Sequence, residues 1–141
     1  MKGYISKRYI GLIALGVVLI LAITFFVQAT TIYSTQAIAK EAGSAIGIAP
    51  FTDRIDFGDI PQGETVGKTL ILENAGTVPN SINIYIIGGI GDLVKVDPKS
   101  VTLEAGETVE IDFRLSMPAS VEPETKFSGR VFVLRLPKSL W

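Results

Sequence analysis

The stretch Val109-Glu110-Ile111-Asp112-Phe113-Arg114-Leu115 alternates apolar and charged side chains at every step. In an extended chain successive side chains point to opposite sides, so Val109, Ile111, Phe113 and Leu115 share one face and Glu110, Asp112 and Arg114 the other. A helical period would scatter the four apolar groups around the axis. The stretch therefore reads as a strand with one buried and one wet face, the usual state of an antiparallel sheet.

The same period recurs on either side of it. Phe51, Asp53, Ile55 and Phe57 alternate with Thr52, Arg54 and Asp56, and the turn Gly58-Asp59-Ile60-Pro61-Gln62-Gly63 follows. Val66 to Glu73 makes a second strand, closed by Asn74-Ala75-Gly76, residue types that tolerate turn conformations. Ile82, Ile84 and Ile86 alternate with Asn83, Tyr85 and Ile87 and run into Gly88-Gly89-Ile90-Gly91. Leu93 to Val96 is a short strand stopped by Asp97-Pro98, and Val101 to Leu103 another. Phe127 to Leu136 is the last. Seven short strands, punctuated by Gly, Pro and Asn and uninterrupted by a long helix, predict an all-β, immunoglobulin-like seven-stranded β-sandwich over residues 50–141.

Several of these stretches carry a family resemblance. Ile55-Asp56-Phe57-Gly58-Asp59-Ile60-Pro61-Gln62-Gly63-Glu64-Thr65, Leu70 to Thr77, Val96-Asp97-Pro98, Leu103 to Ile111 and Met117-Pro118 resemble the Hydin-type and major-sperm-protein-like immunoglobulin domains. The likeness covers nearly all of residues 51–136 and lies in strand and turn punctuation. It implies the same fold and a structural or protein-binding module, and it implies no chemistry.

Before this region the pattern is different. From Tyr9 to Val27, YIGLIALGVVLILAITFFV, Thr24 is the only clearly polar side chain. Nineteen residues of helix cover roughly 28 Å, close to the roughly 30 Å hydrocarbon core of a bilayer. The segment predicts a single transmembrane helix over residues 9–31, behind a basic N-terminus over residues 1–8. Lys2, Lys7 and Arg8 precede the run and the next charge is Lys40, so the N-terminus is expected in the cytoplasm and the C-terminal domain outside it. Two other readings remain open. Val27-Gln28-Ala29 imitates the cleavage site of a secretory signal, although the apolar core is longer than the roughly 7 to 15 residues of such signals. A pilin-like helix is the other. Residues 32–49, rich in Ala, Thr, Ser and Gly, are expected to be a stalk or linker: Ile32, Thr35, Ala39, Ala42 and Ile46 keep a helical spacing, and a flexible spacer is the alternative.

Composition narrows the chemistry. The chain has no histidine and no cysteine, which removes imidazole bases, Ser-His and Cys-His pairs, disulfides and the common zinc sites. The first forty residues hold four basic groups and no acidic one, leaving nine basic against fourteen acidic groups beyond them. Such a balance is unlike a nucleic-acid surface. Asp53, Asp56 and Asp59 are spaced by three, which along a strand sends neighbours to opposite faces, so a solvated surface is expected rather than a calcium site. Gly88 to Gly91 lacks the Lys and the helix of a phosphate cradle and reads as a loop. Glu107, Glu110 and Asp112 read as the wet face of their strand. No enzyme activity, cofactor or metal is expected.

An interaction surface is the remaining expectation. The last strand is apolar on both sides, with Val131 and Val133 on one and Phe132, Leu134 and Leu136 on the other. One side fills the core. The second is expected to contact a protein, with strand addition along an exposed edge as the means, to pack on the stalk, to lie near the membrane, or to pack under a long loop. The terminal Lys138-Ser139-Leu140-Trp141 adds an aromatic tail. The leading reading is thus a membrane-anchored structural or interaction protein presenting its domain to a larger assembly, through an unidentified protein partner or as a homo-oligomer. The alternative is a component of an archaellum or pilus-type filament or of its motor, whose proteins similarly couple an N-terminal apolar helix to a β-sandwich and which a helix continuous from Tyr9 to Ala42 would resemble. Against it, the Glu usually found near the start of a pilin helix is absent.

Overall fold

The computed structural model describes residues 7–43 and 54–138. Helix and sheet meet without a linker: α1 (Lys7–Ala29) stops where β1 (Thr30–Lys40) starts. Two features end the helix there. The hydroxyl of Thr30 donates to the carbonyl of Phe26 at 3.0 Å, satisfying one of the carbonyls left over in the last turn. The following Thr-Ile-Tyr run is β-branched and aromatic and prefers an extended backbone. α1 is long and apolar enough to cross a membrane, and from Arg8 to Gln28 every side chain is exposed. None of its faces serves the core of the β domain.

This corrects the expected stalk. The first part of the segment 32–49 is sheet, and 44–50 lies outside the described residues. β1 pairs in parallel with β2 (Arg54–Pro61) and antiparallel with β8 (Lys126–Pro137). Its inward residues are Tyr33, Thr35, Ala37 and Ala39, and the last three are buried. The helical spacing seen in the sequence coexists with this period-two set. Small side chains suit both, and sheet pairing on both edges decides between them.

The other strands are β3 (Thr65–Glu73), β4 (Asn80–Gly88), β5 (Val94–Asp97), β6 (Ser100–Leu103) and β7 (Thr108–Ser116). β2 to β8 correspond to the seven expected strands, and β1 makes eight among the described residues. They form two sheets, one ordered β2-β1-β8-β4-β6 and one ordered β3-β7-β5. The inner faces enclose one core, in which Phe57, Ile84 and Val133 of the larger sheet and Leu72, Ile111 and Phe113 of the smaller are buried. Val109 to Leu115 behaves as its alternation requires: Ile111, Phe113 and Leu115 are buried, and Glu110 and Arg114 are exposed.

β2 departs from its expected course. It starts at Arg54 and runs through Gly58 to Pro61, while Phe51 to Asp53 lie outside the described residues. The register jumps from Gln36 opposite Asp56 to Ala37 opposite Gly58, so one extra residue is inserted as a β-bulge. Gly58 takes the positive φ of 72° that the bulge needs. Its N–H donates to the Asp56 carboxylate, which also accepts from Gln36. The bulge changes the inward set from Ile55 and Phe57 to Ile60, three residues on, which the simple alternation in the sequence does not show.

Close backbone approach explains a glycine pair. Gly88 and Gly129 lie opposite each other across β4 and β8. A Cβ on Gly129 would come within 2.5 Å of the Ile87 carbonyl oxygen. At the far end of β1, the N–H of Glu124 donates to the Ala39 carbonyl, and Lys40 forms an ion pair of 2.6 Å with the Glu124 carboxylate. That hydrogen bond raises the Lys40 pKa against the opposing effect of desolvation. Being exposed, the pair holds the 117–125 loop in place more than it stabilises the fold.

Two substitutions test the core. Phe113→Ala should cost about 3 to 5 kcal/mol in denaturant unfolding, whereas Asp112→Ala on the wet face should cost under about 1 kcal/mol. Equal losses would reverse the assigned faces. Thr35 is buried with its hydroxyl unpartnered. Thr35→Val keeps its shape, removes that unmet polar group and should raise stability by about 1 kcal/mol in the same assay.

Candidate functional site

The outer face of the larger sheet carries an apolar patch. Pairing places Ile32 of β1 beside Phe132 of β8, and Phe132 beside Tyr85 of β4. The next row, towards the helix, is Thr30, Leu134 and Asn83, and beyond it Leu136 lies beside Ser81. Ile32 and Tyr85 are exposed, as is Ile87 in the row on the other side of Phe132. The expected contact residues Phe132, Leu134 and Leu136 all lie on this face and are half-buried by their neighbours. Away from the helix the face turns polar, through Ser34 and Arg130, then Gln36, Asp56 and Ser128.

Strand addition to β8 is ruled out by its position. It is the middle strand of five, with β1 on one side and β4 on the other, so its backbone groups are already paired. The edge strands are poor templates as well. β2 is bulged and ends in Pro61, β3 carries Lys68 at an inward-facing register position, and β5 and β6 are four residues each. Bulges, inward charges and short lengths are the usual means by which edges resist pairing. The face, rather than an edge, is what the domain offers.

Sequence reasoning missed Ile32, Tyr85 and Ile87. Tyr85 and Ile87 were legible as the second side of an alternating strand. Ile32 was hidden because its segment read as a stalk.

The helix junction forms a second feature. Phe25, Gln28 and Ala29 of α1 line a pocket of about 200 Å³ with Asn80, Arg135 and Pro137. Arg135 donates from Nη1 to the Thr31 hydroxyl at 3.3 Å, while its buried Nε has no partner. The ends of β4 and β8 thus abut the end of the helix. A larger cleft of about 380 Å³ opens between the sheets at Ile84, Ile86, Val94 and Val96, with Lys95 and Lys99 at its rim. Among the described residues no group of three or more acidic side chains could hold a metal ion. Asp56 is occupied by Gln36 and Gly58, and Asp53 lies outside them.

One buried polar residue is built into the loops. Asn74 Nδ2 lies within hydrogen-bond distance of the carbonyls of Val78, Leu103 and Glu104, and its Oδ1 accepts from Gly76 N–H and Asn80 Nδ2. It ties the turn after β3 to the turn before β7, a structural task for which the side chain is fully used. No protein-family model matches the chain, and no characterised protein or solved structure is significantly similar to it.

Asn74→Asp tests the assignment. An ionised carboxylate would face three carbonyl oxygens with no proton to donate, so the variant should lose several kcal/mol at neutral pH. Because the fold disfavours the charged form, the folded-state pKa of that carboxyl is raised and the penalty shrinks as pH falls through it. Thermal unfolding at neutral and acidic pH, each against wild type, should show the deficit narrowing in acid.

Proposed function

We propose that the chain is a single-pass membrane-anchored interaction protein that presents an immunoglobulin-like β-sandwich outside the cytoplasmic membrane to a larger assembly. The observation that supports it is the state of α1. An apolar helix exposed from Arg8 to Gln28 needs lipid around it, and it runs without a spacer into an interior strand of the domain. Lys7 and Arg8 at its start favour a cytoplasmic N-terminus. The likeness to Hydin-type and major-sperm-protein-like domains is part of the same proposal. It is compatible with a two-sheet domain that carries an exposed apolar patch.

A second reading draws on the same boundary. The sequence Val27-Gln28-Ala29 ends where β1 begins, so cleavage after Ala29 would leave both sheets complete and free of the membrane. The uninterrupted length of the apolar run favours the anchor. The filament alternative keeps its apolar N-terminal helix joined to a β domain, but without a helix continuous to Ala42, since α1 ends at Ala29.

Intact mass and topology separate these readings. The full-length mass should be recovered from the membrane fraction, and protease added to intact cells should digest the β domain. Protection until lysis would reverse the orientation, and a mass beginning at Thr30 would make α1 a signal.

A further inference from the structure

We propose that the apolar outer face of the larger sheet pairs with the same face of a second copy of this chain, about a two-fold axis running along β8. The pairing rests on the membrane anchoring proposed above. Two copies whose helices cross one bilayer in the same sense can be related by a two-fold only if its axis stands normal to the membrane. In this arrangement the strands run away from the membrane, because their ends on one side meet the helix. β1 begins at the helix end, and Asn80 at the start of β4 and Arg135 and Pro137 at the end of β8 line the pocket with α1. The rows of the outer face therefore lie parallel to the membrane, and the axis carries each row onto the same row of the other copy.

The rows match themselves under that operation. With the axis along the middle strand, β8 faces β8 and β1 faces β4. Ile32 then faces Tyr85 of the second copy, and Phe132 and Leu134 each meet their own counterparts at the axis. Thr30 faces Asn83, whose carbonyl already accepts from Ser100, so the amide N–H groups remain for the Thr30 hydroxyl. Slipping one row would set Phe132 against Arg130 and Tyr85 against Ser34. The Arg130 row also limits the contact, because two guanidinium groups would meet there.

The position of the patch suits anchored copies. Three strands about 4.8 Å apart over a few rows give on the order of 400 Å² from each copy. The total falls below the roughly 1,200 to 2,000 Å² of stable complexes in solution. Confinement to one membrane raises the effective concentration enough for a small contact to persist. The apolar rows lie at the end of the domain nearest the helix, where two anchored copies are held closest.

The chain has no cysteine, so single-cysteine variants report cleanly. Full-length Phe132→Cys in phosphatidylcholine and phosphatidylglycerol liposomes should cross-link to a dimer with a short bis-maleimide at least tenfold faster than Ile71→Cys, which is exposed on the smaller sheet. Adding Leu134→Lys should bring the rate down to that of Ile71→Cys. Tyr85→Lys, at an exposed position, should do the same and serves where circular dichroism shows Leu134→Lys to be unfolded. Equal rates for Phe132→Cys and Ile71→Cys overturn the pairing. So does a Phe132→Cys thiol that fails to cross-link and is shielded from a water-soluble maleimide in liposomes but not in detergent, which puts lipid on the face. Release of the wild-type chain by alkaline carbonate removes the anchor and the pairing together, whereas retention with equal rates removes the pairing alone.

Discussion

The ladders on the two sides of β1 hold the larger sheet together. Among the described residues β2 has no other strand partner, and β8 would lose the neighbour that makes it an interior strand. β1 also comes directly off the helix, so the segment that leaves the membrane-length helix is the one on which sheet order depends. Its inward side chains after Tyr33 are small, Thr35, Ala37 and Ala39, which leaves room for Phe57, Phe113 and the aliphatic residues of the facing sheet. The fold thus combines large groups on the late strands with small ones on the first, as close packing of two layers requires.

Most of the fold was legible because its signals are local. Alternation in Val109 to Leu115 located β7 and its faces, and Gly and Pro punctuation located β3 to β6 within a few residues. Three features were hidden because each depends on contacts distant in sequence. β1 shows both helical and strand spacing among small residues, and only pairing with β2 and β8 selects the strand. The bulge at Phe57-Gly58 depends on register with β1. The Gly88–Gly129 pair becomes meaningful only when β4 and β8 are adjacent. The candidate surface was half legible: Phe132, Leu134 and Leu136 followed from the two-sided apolar strand, while the exclusion of edge pairing needed the strand order.

Polar burial divides into a satisfied and an unsatisfied case. Asn74 uses both ends of its amide and fixes two turns at once, so its cost of burial is offset. Thr35 has no such compensation in its hydroxyl, and Arg135 leaves Nε unpartnered beside the helix end. The contrast sets a satisfied polar framework in the loops beside the start of β4 against unmet polar atoms in β1 and at its junction with α1. Charge is likewise kept off the apolar rows: the carboxylates of Glu110 and Asp112 lie on the opposite sheet, and Arg130 comes only where the patch ends.

The absence of a spacer between α1 and β1 has a mechanical meaning. A pull transmitted along the helix enters β1 at its first residue and acts along the strand. Bonds to β8 and β2 then resist by sliding, with the whole ladder loaded at once, instead of opening one rung at a time as a peeled terminal strand would. Tension between the helix and whatever the domain grips is therefore borne by the sheet itself, and the junction behaves as a stiff tether.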